Sequence, residues 1–349
     1  MRIAQVAPLH ESVPPKLYGG TERVVSYLTE ELVRQGHDVT LFASGDSVTS
    51  AKLVPSSERA LRLDPKCEDK LAHHMIQLDD VFARRNDFDI IHFHIDYLHY
   101  PLSRQLNLAR VTTLHGRLDL PDLQPLYRKF ADEPIVSISN SQRAPLPDAN
   151  WVGTVYHGLP DDAYPFHEKA EPYFAFLGRT SPEKGLDEAI QIAKESKISL
   201  RIAAKVDEVD IEYFAKIVRP LIDDPMIEFI GEIDEKEKRE FLGNATAILF
   251  PIDWPEPFGL VMVEAMSCGT PVIAYRNGSV PEIIADGITG FIVDSQEEAL
   301  RKIEKINELD RHRCREEFLK RFSDSRMTSD YVNLYEHILE INDRYAYSG

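Results

Sequence analysis

Short apolar runs alternate with amphipathic helical segments along the chain, and this alternation constrains the fold more than any other feature. Strand-like runs separated by helices are typical of a mainly parallel sheet with helices on both faces. The alternation is interrupted once, by a stretch with several prolines at residues 161–172, and then starts again. The sequence therefore predicts an α/β protein with two doubly wound domains.

In the first half, apolar runs predict strands at IAQVAP, DVTLFAS, FDIIHFH, RVTTLHG, EPIVSIS and NWVGTVYHG. The helix predicted after the first strand has apolar residues at helical spacing, and Gly36 is placed to end it. Another helix is predicted within KLAHHMIQLDDVFARR. These elements complete a first domain, which we place at residues 1–160.

The proline-containing stretch at residues 161–172 is charged and has little periodicity, so we interpret it as an interdomain linker. The second domain, at residues 173–325, has strands predicted at YFAFLGR, SLRIAAK, MIEFIGE, TAILFPI, PVIAY and GFIVD. Helices are predicted at LDEAIQIAKES and IEYFAKIVRPLI. The last helix, at about residues 326–349, could pack on either domain, and we expect it to join the first.

Length and charge exclude several classes of protein. A chain of 349 residues is longer than one hydrophobic core usually supports. Its net charge of −18 repels phosphate backbones, so we expect no nucleic-acid partner. No apolar stretch approaches bilayer length and the N-terminus lacks the pattern of a secretory signal, so we expect a cytoplasmic protein with no transmembrane segment.

The cysteines give no evidence of a disulfide framework or a zinc site. Cys67, Cys268 and Cys314 are far apart in the sequence and form no CxxC pair. We expect three reduced thiols.

A glycine pair is the first candidate for ligand binding. Ligands of doubly wound domains bind beyond the carboxyl ends of the strands. Gly19 and Gly20 lie between the first predicted strand and the first helix, where backbone N–H groups could approach a phosphate. A plain helix start is the alternative, because glycine pairs are common there and GxGxxG is absent.

Arg179 and Lys184 lie in GRTSPEKG, directly after the strand YFAFLGR. A cation at the start of a helix opposes the helix dipole, so we expect an anionic group nearby. A diphosphate would suit both side chains, since arginine can fork onto two oxygens and lysine supplies a mobile point charge. The alternative is a pair of solvated surface cations.

Two carboxylates belong to the most specific motif, EPFGLVMVEAM. Glu256 is predicted in a loop and Glu264 on the helix that follows, so both could face one cleft. A carboxylate accepts two hydroxyl hydrogen bonds, which suits the vicinal diols of ribose or a hexose. The helix would begin beside these carboxylates, with the free backbone N–H groups of Phe258, Gly259 and Leu260 at its start. An ordinary acidic helix start is the alternative.

Histidines cluster at the ends of two predicted strands. His92 and His94 share one face of a strand, Asp96 follows them, and His115 ends the next predicted strand. A metal site is one interpretation of these residues. We favour hydrogen bonds to a ligand or to the backbone, because the spacing is loose for metal ligands.

Two further short patterns have ordinary structural explanations. The segment GSVPE at residues 278–282 is predicted to line the same cleft, and N-capping by Ser279 is an equally good explanation of it. The segment DFD at residues 87–89 matches a DxD metal motif, but its position before a strand indicates a turn.

Together the motifs resemble the retaining glycosyltransferases of family 4, whose fold is called GT-B. The resemblance spans nearly the whole chain through GGTE, DIIHFH, the HG at His115, the SIS at Ser137, GRTSPEKG, EPFGLVMVEAMSCGTPVIA and GITGFIV. The opening KLYGGTERVV is most similar to the branch that includes an avilamycin-pathway enzyme. The resemblance implies two Rossmann-like domains with a cleft between them, the acceptor side in the first and the donor side in the second.

The resemblance also implies roles for individual residues. It implies four catalytic residues. Arg179 and Lys184 would hold the donor diphosphate, Glu256 would contact the transferred sugar, and His115 would lie near that sugar. Glu264 would bind the ribose. The remaining donor-binding candidates are Gly19, Gly20, Ile233, Phe258, Gly259 and Leu260, and the candidates on the acceptor side are Thr21, His94 and Asp96.

The chain departs from the family pattern at His157, where many relatives have an asparagine before Gly158, so no contact of that asparagine is carried over. The family has no obligate metal motif, and two cations on the diphosphate could replace a metal. We therefore expect no metal and no other cofactor.

The implied reaction is a metal-independent, retaining transfer of a hexosyl group from a UDP- or GDP-linked donor to a hydroxyl acceptor. The acceptor attacks on the face that the leaving diphosphate occupies, and a donor phosphate oxygen takes the proton. A nucleotide-sugar epimerase or hydrolase of the same fold is one alternative, and a non-catalytic module that binds nucleotide sugars is another.

Overall fold

The computed structural model of the protein describes residues 1–16, 18–106 and 108–346. Within these ranges the chain forms two compact units. The first contains residues 1–160 and the chain from Asp324 onward, and the second contains residues 161–323. Each unit is built on its own parallel sheet, so the predicted α/β class is confirmed.

The first unit has a seven-stranded parallel sheet. Its strands are β1 (Arg2–Val6), β2 (Asp38–Ser44), β3 (Lys52–Ser57), β4 (Ile90–Phe93), β5 (Arg110–Thr113), β6 (Ile135–Ser137) and β7 (Trp151–Thr154). Their order across the sheet is β3-β2-β1-β4-β5-β6-β7. Strands that are buried on both faces have continuous apolar runs, which is why most of them are visible in the sequence.

Helices pack on both faces of this sheet. The helices of this part of the chain are α1 (Gly20–Arg34), α2 (Lys70–Ala83), α3 (Tyr100–Ser103) and α4 (Leu123–Lys129). Val25 of α1 packs in the same apolar cluster as Leu41 of β2, whereas Leu78 of α2 packs with Phe42. Successive strand residues point to opposite faces, so α1 and α2 lie on opposite sides of the sheet.

The second unit has a six-stranded parallel sheet. Its strands are β8 (Tyr173–Arg179), β9 (Ser199–Lys205), β10 (Ile227–Gly231), β11 (Ala247–Phe250), β12 (Val272–Tyr275) and β13 (Gly290–Val293). Their order is β10-β9-β8-β11-β12-β13. Its helices are α5 (Leu186–Ser196), α6 (Ile211–Tyr213), α7 (Glu235–Gly243), α8 (Leu260–Ser267), α9 (Val280–Ile283), α10 (Gln296–Ile303) and α11 (Arg311–Arg321).

The last helix, α12 (Asp324–Ala346), belongs to the first unit. Tyr331 and Tyr335 of this helix are fully buried. The hydroxyl of Tyr331 lies 2.8 Å from Thr113 Oγ1, and Gln5 Nε2 donates to the hydroxyl of Tyr335 over 3.2 Å. Neither α12 nor any other helix in the described ranges is long and apolar enough to cross a membrane.

In each sheet the order of the strands reverses at one point. The reversal lies between β1 and β4 in the first unit and between β8 and β11 in the second. In open α/β sheets, loops that leave two such strands diverge to opposite faces and form a crevice at the carboxyl ends. The switch points therefore select four loops as candidate sites, those after β1, β4, β8 and β11.

Two elements differ from the sequence prediction. The pattern of alternation misses β3, which is an edge strand that contains Pro55, and proline is tolerated at edges because no ladder hydrogen bond is needed there. The helix predicted at IEYFAKIVRPLI is only one short α-helical turn, α6, that continues as a π-helix at Phe214–Val218. Pro220 follows after Arg219 and cannot donate a helical hydrogen bond.

The segment predicted as a linker is part of the second unit. Tyr164 is fully buried there. The backbone N–H of His167 donates to Cys268 O over 3.0 Å, and that of Glu171 donates to Asn244 O over 2.7 Å. Residues 161–172 are thus held by main-chain hydrogen bonds, which their irregular sequence gives no sign of.

Buried histidines surround the carboxyl end of β4. His92, His94, His99 and His157 are all buried, and burial lowers the pKa of each imidazole well below its usual 6.5. His99 shows how such a neutral ring is held: its nitrogens lie 2.9 Å from Ser103 Oγ and 2.7 Å from Thr112 Oγ1.

We expect mild acid to destabilise the protein through these histidines. An imidazole with a lower pKa in the folded state binds fewer protons when folded, so the free energy of unfolding falls as the pH drops below about 6.5. For one such group the loss at about pH 5.5 is about 1.4 kcal/mol. In urea denaturation, the His99→Gln variant should lose less stability between about pH 7.5 and about pH 5.5 than the wild type, by about 1.4 kcal/mol.

The matched control is His337→Gln, which removes an exposed histidine from α12. Its loss of stability over the same pH interval should equal that of the wild type. An unchanged pH dependence in His99→Gln would show that burial does not keep His99 neutral in the folded state.

Candidate active site

The candidate site in the second unit is formed by the loops that follow β8 and β11. Arg179 is the last residue of β8, and Lys184 ends a 3₁₀ turn at Pro182–Lys184, just before α5. Glu256 lies in the loop between β11 and α8. Because β8 and β11 are paired and parallel, both loops emerge at the same edge of the sheet.

Arg179 is flanked by carboxylates from two loops. Its Nη2 lies 3.2 Å from Glu183 Oε1, and its Nη1 lies 3.9 Å from Asp207 Oδ2. The guanidinium is about 30% exposed, and its buried Nε has no hydrogen-bond partner among the described residues. Arg179 therefore keeps donors available for a further acceptor.

Lys184 and Glu256 form an ion pair across the two loops. Lys184 Nζ lies 2.5 Å from Glu256 Oε2, and both side chains are more than four-fifths buried. Trp254 donates from Nε1 to the same Oε2 over 3.0 Å, and its ring centroid lies 4.7 Å from Lys184 Nζ. Glu256 is thus fixed by two donors on one oxygen, and Oε1 remains for a ligand hydroxyl.

The anionic group that the sequence predicts beside these cations is supplied by the protein itself. Glu183, Asp207 and Glu256 balance the charges of Arg179 and Lys184. Charge balance alone therefore does not require a ligand. A diphosphate could bind beside these partners, because both cations have further N–H donors and a diphosphate offers several oxygens in the geometry that a guanidinium and an ammonium group bind best.

The loop of Glu256 leads directly into α8, whose N-cap is Gly259 and whose first residue is Leu260. Phe258 is buried in the core, where its ring lies 6.1 Å from that of Phe322. The first N–H groups of a helix have no intrahelical acceptor, so the start of α8 can donate to ligand oxygens. The backbone of this loop thus lies at the start of α8.

Ser279 occupies the N-cap position of α9, but its side chain makes no capping bond, so the explanation by side-chain N-capping is wrong. No side-chain bond caps α9; instead Ser279 Oγ donates to Phe258 O over 2.8 Å, and Ser279 N donates to Glu256 O over 2.9 Å. The segment at residues 278–282 thus supports the Glu256 loop through these two hydrogen bonds of Ser279.

Glu264 lies on α8 and is almost fully buried. Lys238 Nζ of α7 lies 2.7 Å from its Oε1, and the hydroxyl of Tyr164 lies 3.0 Å from the same oxygen. Ile233 is partly buried in the loop before α7. Sequence patterns miss Lys238, Tyr164 and Trp254, because no local motif marks which charged or aromatic side chains turn inward.

In the first unit, α1 begins at Gly20 with Gly19 as its N-cap, and no side chain caps this helix. Thr21, in its first turn, is partly buried. Glu22 beside it is buried, and burial raises the pKa of its carboxyl group. The glycine pair therefore forms a helix start without a side-chain cap, which fits both a phosphate site and the plain helix start that the sequence left as the alternative.

The histidines of the first unit lie near the ends of β4 and β5: His92 belongs to β4, His94 follows it, and His115 follows β5. His94 Nε2 lies 2.8 Å from Gln5 Oε1, and His94 Nδ1 lies 2.9 Å from His115 Nε2. Both nitrogens of His92 also have partners, the hydroxyls of Tyr335 and Thr113. Among the described residues, no three His, Cys, Asp or Glu side chains are grouped so as to hold a metal ion. The segment DFD includes Asp89, which is paired with Arg2.

This network assigns the proton positions of His94 and His115. Because Gln5 donates from Nε2 to Tyr335, its Oε1 accepts from His94 Nε2. His94 Nδ1 then accepts from His115 Nε2, and His115 Nδ1 is left with a lone pair and no partner among the described residues. Burial lowers the pKa of His115 to about 3. His115 is therefore a neutral hydrogen-bond acceptor at neutral pH.

Asp96 stands apart from this network. It follows β4, is exposed, and adopts φ 50°. Aspartate tolerates the left-handed region better than most residues. The structure thus joins His94 to His115 but gives Asp96 no contact with either among the described residues.

Gly278 supports the position of Glu256 by its lack of a side chain. Its φ is +56°, and a Cβ there would lie 2.3 Å from Glu256 N and 2.4 Å from Glu256 O. We expect Gly278→Ala to displace the Glu256 loop and to destabilise the protein by about 3 kcal/mol, the sum of left-handed strain and overpacking. Urea denaturation measures this loss.

Gly287→Ala is the matched control, because Gly287 has φ +74° but a Cβ there would meet nothing within 4 Å. It should cost only the left-handed strain, about 1–2 kcal/mol. Equal losses in the two variants would contradict the proposed contact between Gly278 and the Glu256 loop.

Two family models match this chain. Residues 18–144 match "Glycosyltransferase Family 4", and residues 162–321 match "Glycosyl transferases group 1". The N-acetyl-alpha-D-glucosaminyl L-malate synthase of Bacillus anthracis is 26% identical, over 92% of this chain and 94% of the relative. The phosphatidyl-myo-inositol mannosyltransferase of Mycolicibacterium smegmatis is 24% identical, over 84% of this chain and 81% of the relative.

Solved structures share the fold at lower identity. AviGT4, a glycosyltransferase involved in avilamycin A biosynthesis, superposes with a TM-score of 0.74 and 23% identity, over 97% of this chain and 98% of its own. HepE of Anabaena in complex with UDP superposes with a TM-score of 0.71 and 16% identity, over 97% and 100% of the two chains. The chain belongs to the glycosyltransferases of family 4 type and has the GT-B fold.

Proposed function

We propose that this glycosyltransferase moves a hexosyl group from a UDP- or GDP-linked sugar to a hydroxyl acceptor, with retention of configuration and without a metal ion. The observation that carries the proposal is the ion pair of Lys184 with Glu256 at the switch point of the second unit, beside Arg179. A group that binds phosphate and a group that binds sugar hydroxyls are held there by adjacent loops.

Arg179 and Lys184 would take the donor diphosphate. Negative charge develops on the diphosphate as the glycosidic bond breaks, and preorganised cations stabilise that change. At an effective dielectric constant near 20, one cation at about 4 Å contributes about 4 kcal/mol of gross Coulomb energy. Two cations in fixed loops can therefore do the work that a metal ion does in other phosphate sites, which supports metal independence.

Glu256 would recognise the sugar rather than attack it. Its Oε2 already accepts from Lys184 and Trp254, and a carboxylate held by two donors is a weak nucleophile. With no covalent intermediate, the acceptor hydroxyl attacks on the face that the diphosphate leaves. A donor phosphate oxygen takes the hydroxyl proton as the glycosidic bond breaks and the new one forms. Attack on this face gives retention of configuration.

His115 suits a neutral acceptor of a hydrogen bond from a sugar hydroxyl, because burial lowers its pKa to about 3. An imidazole that is neutral at neutral pH adds no charge beside a sugar that becomes cation-like in the transition state. The glycine pair at the start of α1 would donate N–H groups to phosphate oxygens.

Similar proteins support a nucleotide-sugar donor. HepE of Anabaena has also been solved in complex with UDP-glucose. The relatives from Bacillus anthracis and Mycolicibacterium smegmatis are named for an N-acetylglucosaminyl and a mannosyl group. Both groups are derived from hexoses, and the two names differ in the sugar and in the group that carries it.

Binding of the donor is tested by calorimetric titration with UDP, GDP, ADP and dTDP, with and without EDTA. We expect one diphosphate to bind equally well in EDTA, and Arg179→Ala to weaken it by at least tenfold, since a charged hydrogen bond contributes about 1.5–3 kcal/mol. Arg276→Ala is the matched control, because Arg276 is an exposed arginine of the same unit, paired with Asp294. Equal affinity in Arg179→Ala and wild type would contradict the assigned donor site.

The reaction itself is tested with the sugar conjugate of the nucleotide that binds. Proton NMR of the product should show the anomeric configuration of the donor, and the rate should be unchanged in EDTA. An inverted product would overturn retention, and a rate restored only by added Mg²⁺ or Mn²⁺ would overturn metal independence.

A further inference from the structure

Inside the second unit, Glu264 belongs to a cluster of two carboxylates, one lysine and one tyrosine. It consists of Tyr164, Glu235, Lys238 and Glu264, and we call it the Glu264 cluster. Lys238 Nζ lies 2.7 Å from Glu264 Oε1 and 3.1 Å from Glu235 Oε2. Tyr164 OH lies 3.0 Å from Glu264 Oε1 and hydrogen-bonds Glu235 as well. Lys238 also lies 5.3 Å from the centroid of the Tyr164 ring.

Three of the four residues of the Glu264 cluster are almost fully buried. The side chains of Lys238 and Glu264 are 12% and 6% exposed, and Tyr164 is 0% exposed. An unpaired carboxylate at such depth costs several kcal/mol, and a cation beside Glu264 offsets that cost. Lys238 supplies that cation to Glu264 and to Glu235 together.

The phenol of Tyr164 cannot replace Lys238. It has one proton and lies against two carboxylates, so it donates to only one of them. Without the lysine, the carboxylates of Glu235 and Glu264 would lose the cation that both contact and would repel each other. Lys238 therefore holds both carboxylates in place.

The contacts of Glu264 are one-sided. Within the described residues, the hydrogen bonds and ion pairs of its carboxylate all reach Oε1, and none reaches Oε2. A buried carboxylate with one oxygen fixed and the other without a donor is suited to accept a hydroxyl from a ligand.

We propose that Lys238 and Tyr164 are positioning residues that hold Glu264 so that its free oxygen reads the ribose 2′-hydroxyl of the donor nucleotide. The inference rests on the proposed function, because it takes Glu264 as the ribose contact of that donor site. It adds that discrimination between ribose and deoxyribose depends on α7 and on the segment before β8, neither of which belongs to the EPFGLVMVEAM motif.

The test measures dissociation constants of the wild type for UDP, GDP and ADP and for their 2′-deoxy analogues. For the nucleotide that binds best, the deoxy analogue should bind at least tenfold more weakly, the loss expected for a charged hydrogen bond. Lys238→Met should weaken the ribonucleotide about tenfold and leave the deoxy analogue unchanged, so that the ratio of the two constants falls to about one. Tyr164→Phe, which removes one oxygen atom, should lower the ratio in the same direction.

Lys236→Met is the matched control, because Lys236 is an exposed lysine of the same helix. It should keep the wild-type ratio. In a double-mutant cycle, adding Lys238→Met to Glu264→Gln should produce no further loss, since both changes remove the same contact.

Each other outcome overturns the inference. Equal weakening of ribo and deoxy nucleotides in Lys238→Met would mean that Lys238 contacts the diphosphate or only supports the fold. If Lys238→Met does not fold, an unchanged ratio in Tyr164→Phe decides against the proposal. A wild type that binds nucleotides without preference for ribose contradicts the inference alone, whereas a wild type that binds none of the three contradicts the proposed donor site itself.

Discussion

The pairing of β11 with β8 is the constraint on which the candidate site of the second unit depends. Lys184 and Glu256 are 72 residues apart in the chain, and their ion pair exists only because two parallel strands end side by side. The right-handed crossovers that lead away from these strands go to opposite sides, so the crevice stays open at their carboxyl ends. The first unit repeats this arrangement between β1 and β4, where the glycine pair and the histidines lie.

Because the chain is strongly acidic, the balance between cations and carboxylates within this site decides whether it can bind an anion. A protein with a net charge of −18 would repel a diphosphate unless cations were concentrated locally. Here each cation already has a carboxylate partner: Arg179 has Glu183, and Lys184 has Glu256. A diphosphate ligand would therefore use the donors that these pairs leave unused, namely the remaining N–H groups of Arg179 and of the Lys184 ammonium group. A diphosphate brings more charge and more acceptors than a monoanion, which would gain little from the same donors.

Much of this fold is predictable from the sequence, because strands of a parallel sheet are buried on both faces and form continuous apolar runs. The helix LDEAIQIAKES is predicted with its observed bounds, Leu186–Ser196. The edge strand β3 is missed because its solvated side needs no apolar residues. Lys238 is missed for a related reason: it is one of several charged residues in EKEKRE, and only the position of α8 determines which of them is buried.

The two glutamates of the EPFGLVMVEAM motif are held by the same kind of arrangement, although different elements supply it. Glu256 Oε2 accepts from Lys184 and from the indole of Trp254, and the lysine lies over that ring. Glu264 Oε1 is contacted by Lys238 and by the phenol of Tyr164, and again the lysine lies over the ring. A cation over an aromatic face and a donor at the ring edge fix one carboxylate oxygen from two directions. The second oxygen is then preorganised, so a ligand hydroxyl would bind it without the entropy loss of ordering the side chain.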